Sequence, residues 1–101
     1  MARAKKSVVI GDREGECFMC KGEEPCEVHH IYKGKNRKIS DENGFYVHLC
    51  PSCHRYLHGK DGHMMDVYLM KTCQLDFEKN HSRADFMKLI GCNYIIEEDE
   101  E

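Results

Sequence analysis

The stretch from Val28 to His58 decides the fold of this chain: it begins with Val28-His29-His30 and ends with Leu49-Cys50-Pro51-Ser52-Cys53-His54-Arg55-Tyr56-Leu57-His58. It holds five of the seven histidines and two of the seven cysteines. Solubility alone does not call for such a density of metal-ligating side chains. The stretch therefore indicates metal binding, and the rest of the chain is expected to form the scaffold around it.

Length and composition bound the class of protein. A chain of 101 residues has room for one domain and buries a modest core, so a bound metal is expected to help hold it. No segment reaches the roughly 18 apolar residues of a membrane helix, and residues 1–10 are too weakly apolar for a signal peptide. We therefore expect an intracellular, cytoplasmic protein without membrane association, in which thiols are metal ligands or core residues rather than disulfides.

Charge is distributed unevenly along the chain. The formal net charge is -3, but residues 97–101 are all acidic, so the remainder of the chain is slightly basic. Between residues 31 and 40 there are four cations and no acid. This local basic loop lies between the two ends of the opening stretch, and the acidic tail is expected to be disordered.

Strand patterns are short. Residues 7–10 and 93–96 are candidates for peripheral strands, and residues 26–29 alternate as a strand would. The clearest strand is Phe45 to Leu49, with Phe45, Val47 and Leu49 on one face. A long loop is expected between residues 31 and 44.

Helical patterns follow the second strand. Pro51 suits a first helical turn, and this helix is expected to end at Gly59. Apolar residues at helical spacing predict a second helix from Met64 to about Asn80. Ser82-Arg83-Ala84-Asp85 has the form of a capping box, which predicts a third helix that ends at Gly91.

Two C-x2-C pairs, Cys17 with Cys20 and Cys50 with Cys53, predict a structural zinc site. Four thiolates satisfy the tetrahedral preference of Zn2+, whereas cysteines that merely pack in a core have no reason to occur in pairs of this spacing. Cys26 is an alternative ligand. Cys50 to His54 also matches the C-x-x-C-H pattern of haem attachment, but that alternative leaves Cys17 and Cys20 unexplained.

The histidines indicate a second site. His54 and His58 are four residues apart on the helix after Pro51, so both project from one face. His29 and His30 are neighbours in a strand and point in opposite directions. His29, His54 and His58 would then hold one divalent cation, and His30 would be free to act as a general base. His63 is an alternative to His58 in this set.

With these motifs the sequence resembles the HNH endonucleases, the ββα-metal or His-Me finger family. The resemblance covers residue 17 to about residue 63. It implies an α+β fold: a small zinc-stapled, treble-clef-like ββα-metal core over about residues 17–63, followed by two C-terminal helices over about residues 64–90. Residues 1–96 would form a single nuclease domain, with 97–101 as the tail. The register also resembles phage-borne HNH proteins, which implies a phage protein acting inside a bacterial host.

The resemblance also implies roles for individual residues. His30 matches the general base, His29 and His54 match ligands of the catalytic metal, and His58 matches a third ligand or a phosphate contact. The implied activity is hydrolysis of DNA phosphodiester bonds, as a nick or a double-strand cut, with Mg2+ or another divalent cation. Five cations near the motif are expected to contact the DNA backbone: Lys33, Lys35, Arg37, Lys38 and Arg55.

The middle asparagine of the family motif is missing. Phe45 stands at the expected position, nine residues before His54. Asn36 and Asn43 are the nearest residues able to brace the loop in its place.

Two other functions remain open at this point. The chain could be a zinc-dependent module that binds nucleic acid without catalysis, a reading that leaves His29 and His30 idle. It could also be a nuclease that is active only with a recombination or packaging protein, which the C-terminal helices would contact. The sequence carries no signal for an oligomeric state.

Overall fold

A two-stranded antiparallel sheet lies at the centre of the computed structural model, which describes residues 6–95. Strand β1 (Glu27–His30) pairs with strand β2 (Tyr46–Leu49), with His29 opposite Val47 and His30 opposite Tyr46. Neighbouring strand residues point to opposite faces, so His29 and His30 lie on different sides of the sheet. Both strands agree with the predicted ones to within a residue at each end.

Four helices complete the described fold, and their bounds are α1 (Arg37–Asn43), α2 (Pro51–His58), α3 (His63–Phe77) and α4 (Arg83–Ile90). The chain is therefore α+β, as predicted, and three helices follow the second strand: α2, α3 and α4. The predicted acidic tail, residues 97–101, lies outside the described residues. Among residues 6–95, the helices are all too short or too polar to cross a membrane.

Helix α1 and the short 3-10 turn before it, Gly34–Asn36, occupy the segment predicted to be a loop. The prediction was wrong because Ser40 is the one fully buried residue of α1. The helix therefore lacks the repeat of apolar residues from which a helix can be predicted. The helix ends at Gly44, whose φ of +79° is the left-handed conformation that glycine adopts readily.

Ser40 ties this connecting segment to the end of β1. Its buried hydroxyl accepts from the backbone N–H of Tyr32 (3.2 Å) and donates to the carbonyl of the same residue (2.7 Å). Its own carbonyl accepts from the N–H of Phe45 (2.9 Å). One small side chain therefore closes the loop between the two strands.

The three later helices follow the predicted pattern. Helix α2 has Pro51 in its first turn and ends at Gly59. Helix α3 buries Leu69, Cys73 and Phe77 along one stripe. In α4 the predicted capping box is present, with Ser82 as the cap.

An aromatic cluster forms part of the core. Phe45 is fully buried, and its ring centroid lies 5.5 Å from that of Tyr32, 5.3 Å from that of Phe77 and 5.9 Å from that of Phe86. The position of the missing motif asparagine is therefore filled by a core residue.

The two peripheral strands predicted at residues 7–10 and 93–96 are not formed within the described residues. Side chains replace a strand ladder there: Asp76 Oδ2 accepts from Ile10 N (2.9 Å), and Gln74 Oε1 accepts from Tyr94 N (2.8 Å). Gln74 is fully buried in α3. Ile96 lies outside the described residues.

Gly44→Ala is expected to lower the free energy of unfolding more than Gly91→Ala does. Both glycines end a helix at positive φ, so each substitution costs about 1–2 kcal/mol of backbone strain. A Cβ at Gly44 would also overlap the backbone carbonyl of Lys6, whereas nothing lies within 4 Å at Gly91. The overlap adds roughly 1–3 kcal/mol. Urea unfolding of zinc-loaded protein measures both, and equal losses would contradict the close packing at Gly44.

Candidate metal centre

The four predicted cysteine ligands form one cluster. Cys17 and Cys20 come from the turn before β1, while Cys50 and Cys53 come from the start of α2, and the four sulfurs all lie within 4.8 Å of one another. The Sγ atoms of Cys20 and Cys50 are 3.9 Å apart. Zinc–sulfur bonds of roughly 2.3 Å in a tetrahedron place sulfurs about 3.8 Å apart. The cluster therefore fits a zinc ion.

The turn that carries the first pair is fixed by its backbone. Cys17 N donates to the carbonyl of Gly22 (2.9 Å), and Lys21 N donates to the carbonyl of Cys17 (2.8 Å). Lys21 adopts a φ of +66°, a left-handed conformation that is uncommon outside glycine. Both thiols of the pair are thereby presented toward α2.

Backbone N–H groups favour the thiolate form of one cysteine in the cluster. Burial raises the pKa of Cys17, but hydrogen bonds from the backbone at Cys20, Cys50 and Met19 outweigh it and bring the pKa to about 6. One thiol is therefore thiolate at neutral pH, the form that binds zinc.

The remaining cysteines lie outside the four-sulfur group. The thiol of Cys26 donates to the carbonyl of Glu24 (3.2 Å), Cys73 is fully buried in the core, and Cys92 is exposed. Because Cys50 and Cys53 face Cys17 and Cys20, the zinc interpretation accounts for all four thiols and the haem alternative for two.

A second cluster is formed by His29, His54 and His58. One ring nitrogen of each lies within 4.8 Å of the others, and the ring centroids are 4.9 to 5.4 Å apart. His29 reaches the cluster from β1, and the other two come from successive turns of α2. The alternative His63 is exposed at the start of α3 and is not part of this group.

Two features of the cluster suit a metal ligand set. Nδ1 of His54 lies 2.7 Å from Oε1 of Glu27, which leaves Nε2 for a metal. His29 is buried, with a relative exposure of 2%. Burial, followed by the charges of Lys33 and His54, lowers the pKa of His29 to about 4. The ring is therefore neutral at physiological pH, as metal binding requires.

The donor set decides which ions suit this cluster. Three imidazole nitrogens favour zinc, nickel, copper or iron, whereas Mg2+ takes oxygen ligands. The predicted Mg2+ has no support in these donors. A divalent transition-metal ion fits them.

His30 faces a different surface. An open cleft of about 590 Å³, here named the His30 cleft, is lined by His30, Gly34, Lys35, Arg37, Lys38, Asp41 and Glu42. Nε2 of His30 lies 3.2 Å from Oδ1 of Asp41. A second cleft, of about 360 Å³ and here named the His54 cleft, is lined by Glu27, Pro51, His54, Arg55, His58 and Gly59.

Asp41 was missed by the sequence analysis. It lies in α1, the helix that was not predicted, and eleven residues separate it from His30. The contact between Asp41 and His30 could have been predicted only if residues 37–43 had been predicted to form a helix. Its carboxylate orients the His30 ring through Nε2, so the other ring nitrogen, Nδ1, is not engaged by this contact.

The five predicted DNA-contacting cations do not form one patch. Lys35, Arg37 and Lys38 line the His30 cleft, and Arg55 lines the His54 cleft. Lys33 instead pairs with Asp66, with its Nζ 2.9 Å from Oδ2.

The two predicted bracing residues have different roles in the structure. The amide of Asn36 donates to the carbonyl of Ile90 (3.1 Å), so it joins the loop to α4. The amide of Asn43 donates to the carbonyl of Ile39 within α1 (2.9 Å). The connection between the strands is closed by Ser40, a residue that sequence reasoning did not single out.

Two further histidines have structural contacts. Nδ1 of His48 lies 2.7 Å from Oδ2 of Asp12, which joins the N-terminal segment to β2. The ring of His81 stacks on Phe77 at 4.3 Å between centroids. Neither belongs to a cluster of metal ligands among the described residues.

Comparison with known proteins does not add to these observations. No protein-family model, curated protein or solved structure matches this chain. What the two clusters can bind is therefore argued from their own donor atoms, spacing and burial.

Cys17→Ser is expected to remove the bound zinc and unfold the protein, because apparent zinc-binding free energies of about 10–16 kcal/mol act directly as folding free energy in such sites. Cys92→Ser, which changes an exposed cysteine outside the cluster, is the matched control. Zinc content and far-UV circular dichroism measure both variants. Retention of zinc and structure by Cys17→Ser would contradict the four-cysteine site.

Proposed function

We propose that this protein is a metal-dependent DNA endonuclease that hydrolyses phosphodiester bonds. The observation that carries the proposal is the pairing of two sites on β1: the cluster of His29, His54 and His58 on one face, and His30 oriented by Asp41 on the other. The resemblance of these motifs to the HNH endonucleases agrees with this function.

The three clustered histidines would hold the divalent ion. When bound, such an ion supplies a positive charge that stabilises the developing negative charge on the phosphate and on the leaving oxygen. The low pKa of His29, caused first by its burial, keeps the ring available to a cation rather than to a proton. Glu27 orients His54 through its hydrogen bond.

His30 would act as the general base. Asp41 engages Nε2, so Nδ1 is the nitrogen that accepts a proton from the attacking water. The oxygen of that water forms the new bond to phosphorus, the bond to the leaving sugar oxygen breaks, and that oxygen takes a proton from solvent. By the family resemblance, the products carry 5′-phosphate and 3′-hydroxyl ends.

Cations on both clefts suit a polyanionic substrate. Lys35, Arg37 and Lys38 surround His30, while Arg55 lies beside His54 and His58. A DNA backbone that crosses the end of β1 would meet these side chains together with the two histidine sites. Such contacts give affinity without reading the base sequence.

A nuclease that needs a protein partner is a second candidate. Helix α3 exposes Met64, Tyr68 and Leu75, with exposed fractions of 81%, 54% and 51%. Large apolar side chains on a solvent-facing helix favour a contact with another protein. This candidate predicts DNA binding, but cleavage only when a recombination or packaging protein is added.

His30→Ala is expected to slow cleavage by about 10²- to 10⁴-fold, the usual contribution of a general base. Conversion of supercoiled plasmid to nicked and linear forms is measured with Mn2+, Zn2+, Ni2+ and Mg2+. His81→Ala, which changes a histidine stacked on Phe77 away from both clefts, is the matched control. Zinc content is equalised first.

The cleavage assay separates the candidates. Unchanged cleavage by His30→Ala would refute the general-base assignment. If the wild type binds DNA but cuts nothing with any of these ions, a non-catalytic zinc module or a partner-dependent nuclease replaces the present proposal.

Joint replacement of Lys35 and Arg37 by alanine is expected to weaken DNA binding and make it less dependent on salt. The slope of log K against log salt is negative, and each lost phosphate contact makes it shallower by about 0.9. Joint replacement of the exposed Lys79 and Lys88 by alanine is the control. Binding is measured in the His30→Ala background, so that the DNA stays intact, and equal slopes for both pairs would contradict a role of the His30 cleft in binding.

A further inference from the structure

Two buried polar atoms face each other behind the histidine cluster. Nε2 of His29 and Oδ1 of Asp66 are 3.8 Å apart, and neither has a hydrogen-bond partner among residues 6–95. The two side chains are 1% and 16% exposed, so bulk water does not compensate them. Buried polar groups are usually satisfied, and each one left without a partner destabilises the folded state.

A small movement would satisfy both atoms together. The separation exceeds an ordinary N–H···O hydrogen bond of about 2.7–3.2 Å by about 1 Å or less at the longer end of that range. If Nε2 carries the imidazole proton, it becomes the donor and Asp66 Oδ1 becomes the acceptor. The other ring nitrogen of His29, Nδ1, is then unprotonated, which is the state that a metal requires.

Asp66 is itself held in place. It lies in the first turn of α3, and its second oxygen, Oδ2, accepts from Nζ of Lys33 at 2.9 Å. Lys33 lies three residues after the end of β1, and His29 lies within β1. Asp66 of α3 therefore contacts two residues that lie in or beside the same strand. These three residues connect α3 to the histidine cluster.

The position of Asp66 favours a supporting role over direct ligation. The group of ligand atoms that lie within 4.8 Å of one another contains the three histidines but not Asp66. The same cluster already shows a carboxylate behind a histidine, since Glu27 engages Nδ1 of His54. Carboxylates of this kind orient metal-binding histidines and make them better ligands.

We propose that Asp66 is a positioning residue for His29, that Lys33 holds Asp66 in place, and that His29 binds the metal through Nδ1. The inference rests on the proposed metal-binding role of the histidine cluster. It gives Lys33 a different role from the DNA contact expected from the sequence, since its charge is used inside the protein.

The test measures metal binding rather than cleavage. Protein whose four-cysteine site already holds zinc is titrated with Co2+, and the second site is followed by calorimetry and visible absorption. Asp66→Asn is expected to weaken Co2+ binding by about 10- to 100-fold, the usual loss for an orienting carboxylate. Asp61→Asn removes the same charge from the exposed turn before α3 and should change the affinity less than threefold.

A second variant and a spectroscopic readout keep the test independent of stability. Lys33→Gln should also weaken Co2+ binding. In the Asp66→Asn background the same substitution should weaken binding little further, because Lys33 acts on His29 only through Asp66. In zinc-saturated wild type, nitrogen-15 NMR of the imidazole should find the proton of His29 on Nε2. A merely structural role for Asp66 would not fix this tautomer.

The outcomes are distinct. Equal Co2+ affinity for Asp66→Asn and Asp61→Asn, or a metal bound to Nε2 of His29, would overturn the positioning role while the proposed metal site stands. Failure of the wild type to bind any Co2+ beyond its zinc would overturn the metal site itself, and with it the proposed nuclease.

Discussion

The approach of four cysteine sulfurs from two distant segments is the contact on which the rest of the structure depends. Cys50 immediately precedes helix α2, and the helix supplies Cys53 in its first turn and then His54 and His58. The sulfur cluster fixes the start of this short helix beside β1, and the helical repeat then sets where both imidazoles point. The position of His29 in β1 completes the second cluster. Scaffold and candidate site therefore share one helix of eight residues.

A single strand separates two different chemical environments. His29 is enclosed, and burial lowers its pKa to about 4, so its lone pair is available at any physiological pH. Its neighbour His30 opens onto a cleft with three cations and is oriented by Asp41. The alternation of strand side chains is enough to give adjacent, chemically identical residues separate tasks. No insertion or domain boundary is needed between the proposed metal-binding and proton-accepting positions.

Spacing made part of this arrangement predictable. The paired C-x2-C motifs, the four-residue interval between His54 and His58, and the capping box at Ser82 all rest on local geometry that sequence expresses directly. The contacts made by Ser40, Asp41 and Asp66 could not be found in this way, because each depends on which distant segment packs beside it. Helix α1 was missed for a related reason: it is anchored by a buried hydroxyl group rather than by an apolar stripe. The replacement of the motif asparagine by Phe45 became intelligible only once the aromatic core around it was known.

The closure made by Ser40 has a consequence for how the protein can change over time. Its hydroxyl and carbonyl groups join Tyr32 to the beginning of β2, so the pairing of the two strands is secured at the base of the intervening segment. Gly34 and Lys35 lie beyond this closure, between Lys33 and Asn36, which contact Asp66 and Ile90, and lengthening such a loop costs little free energy. Insertions and deletions there can reshape the surface around His30 while strand register and both ligand clusters stay in place. Ser40 thus separates a part of the chain that is free to diversify from one that is not.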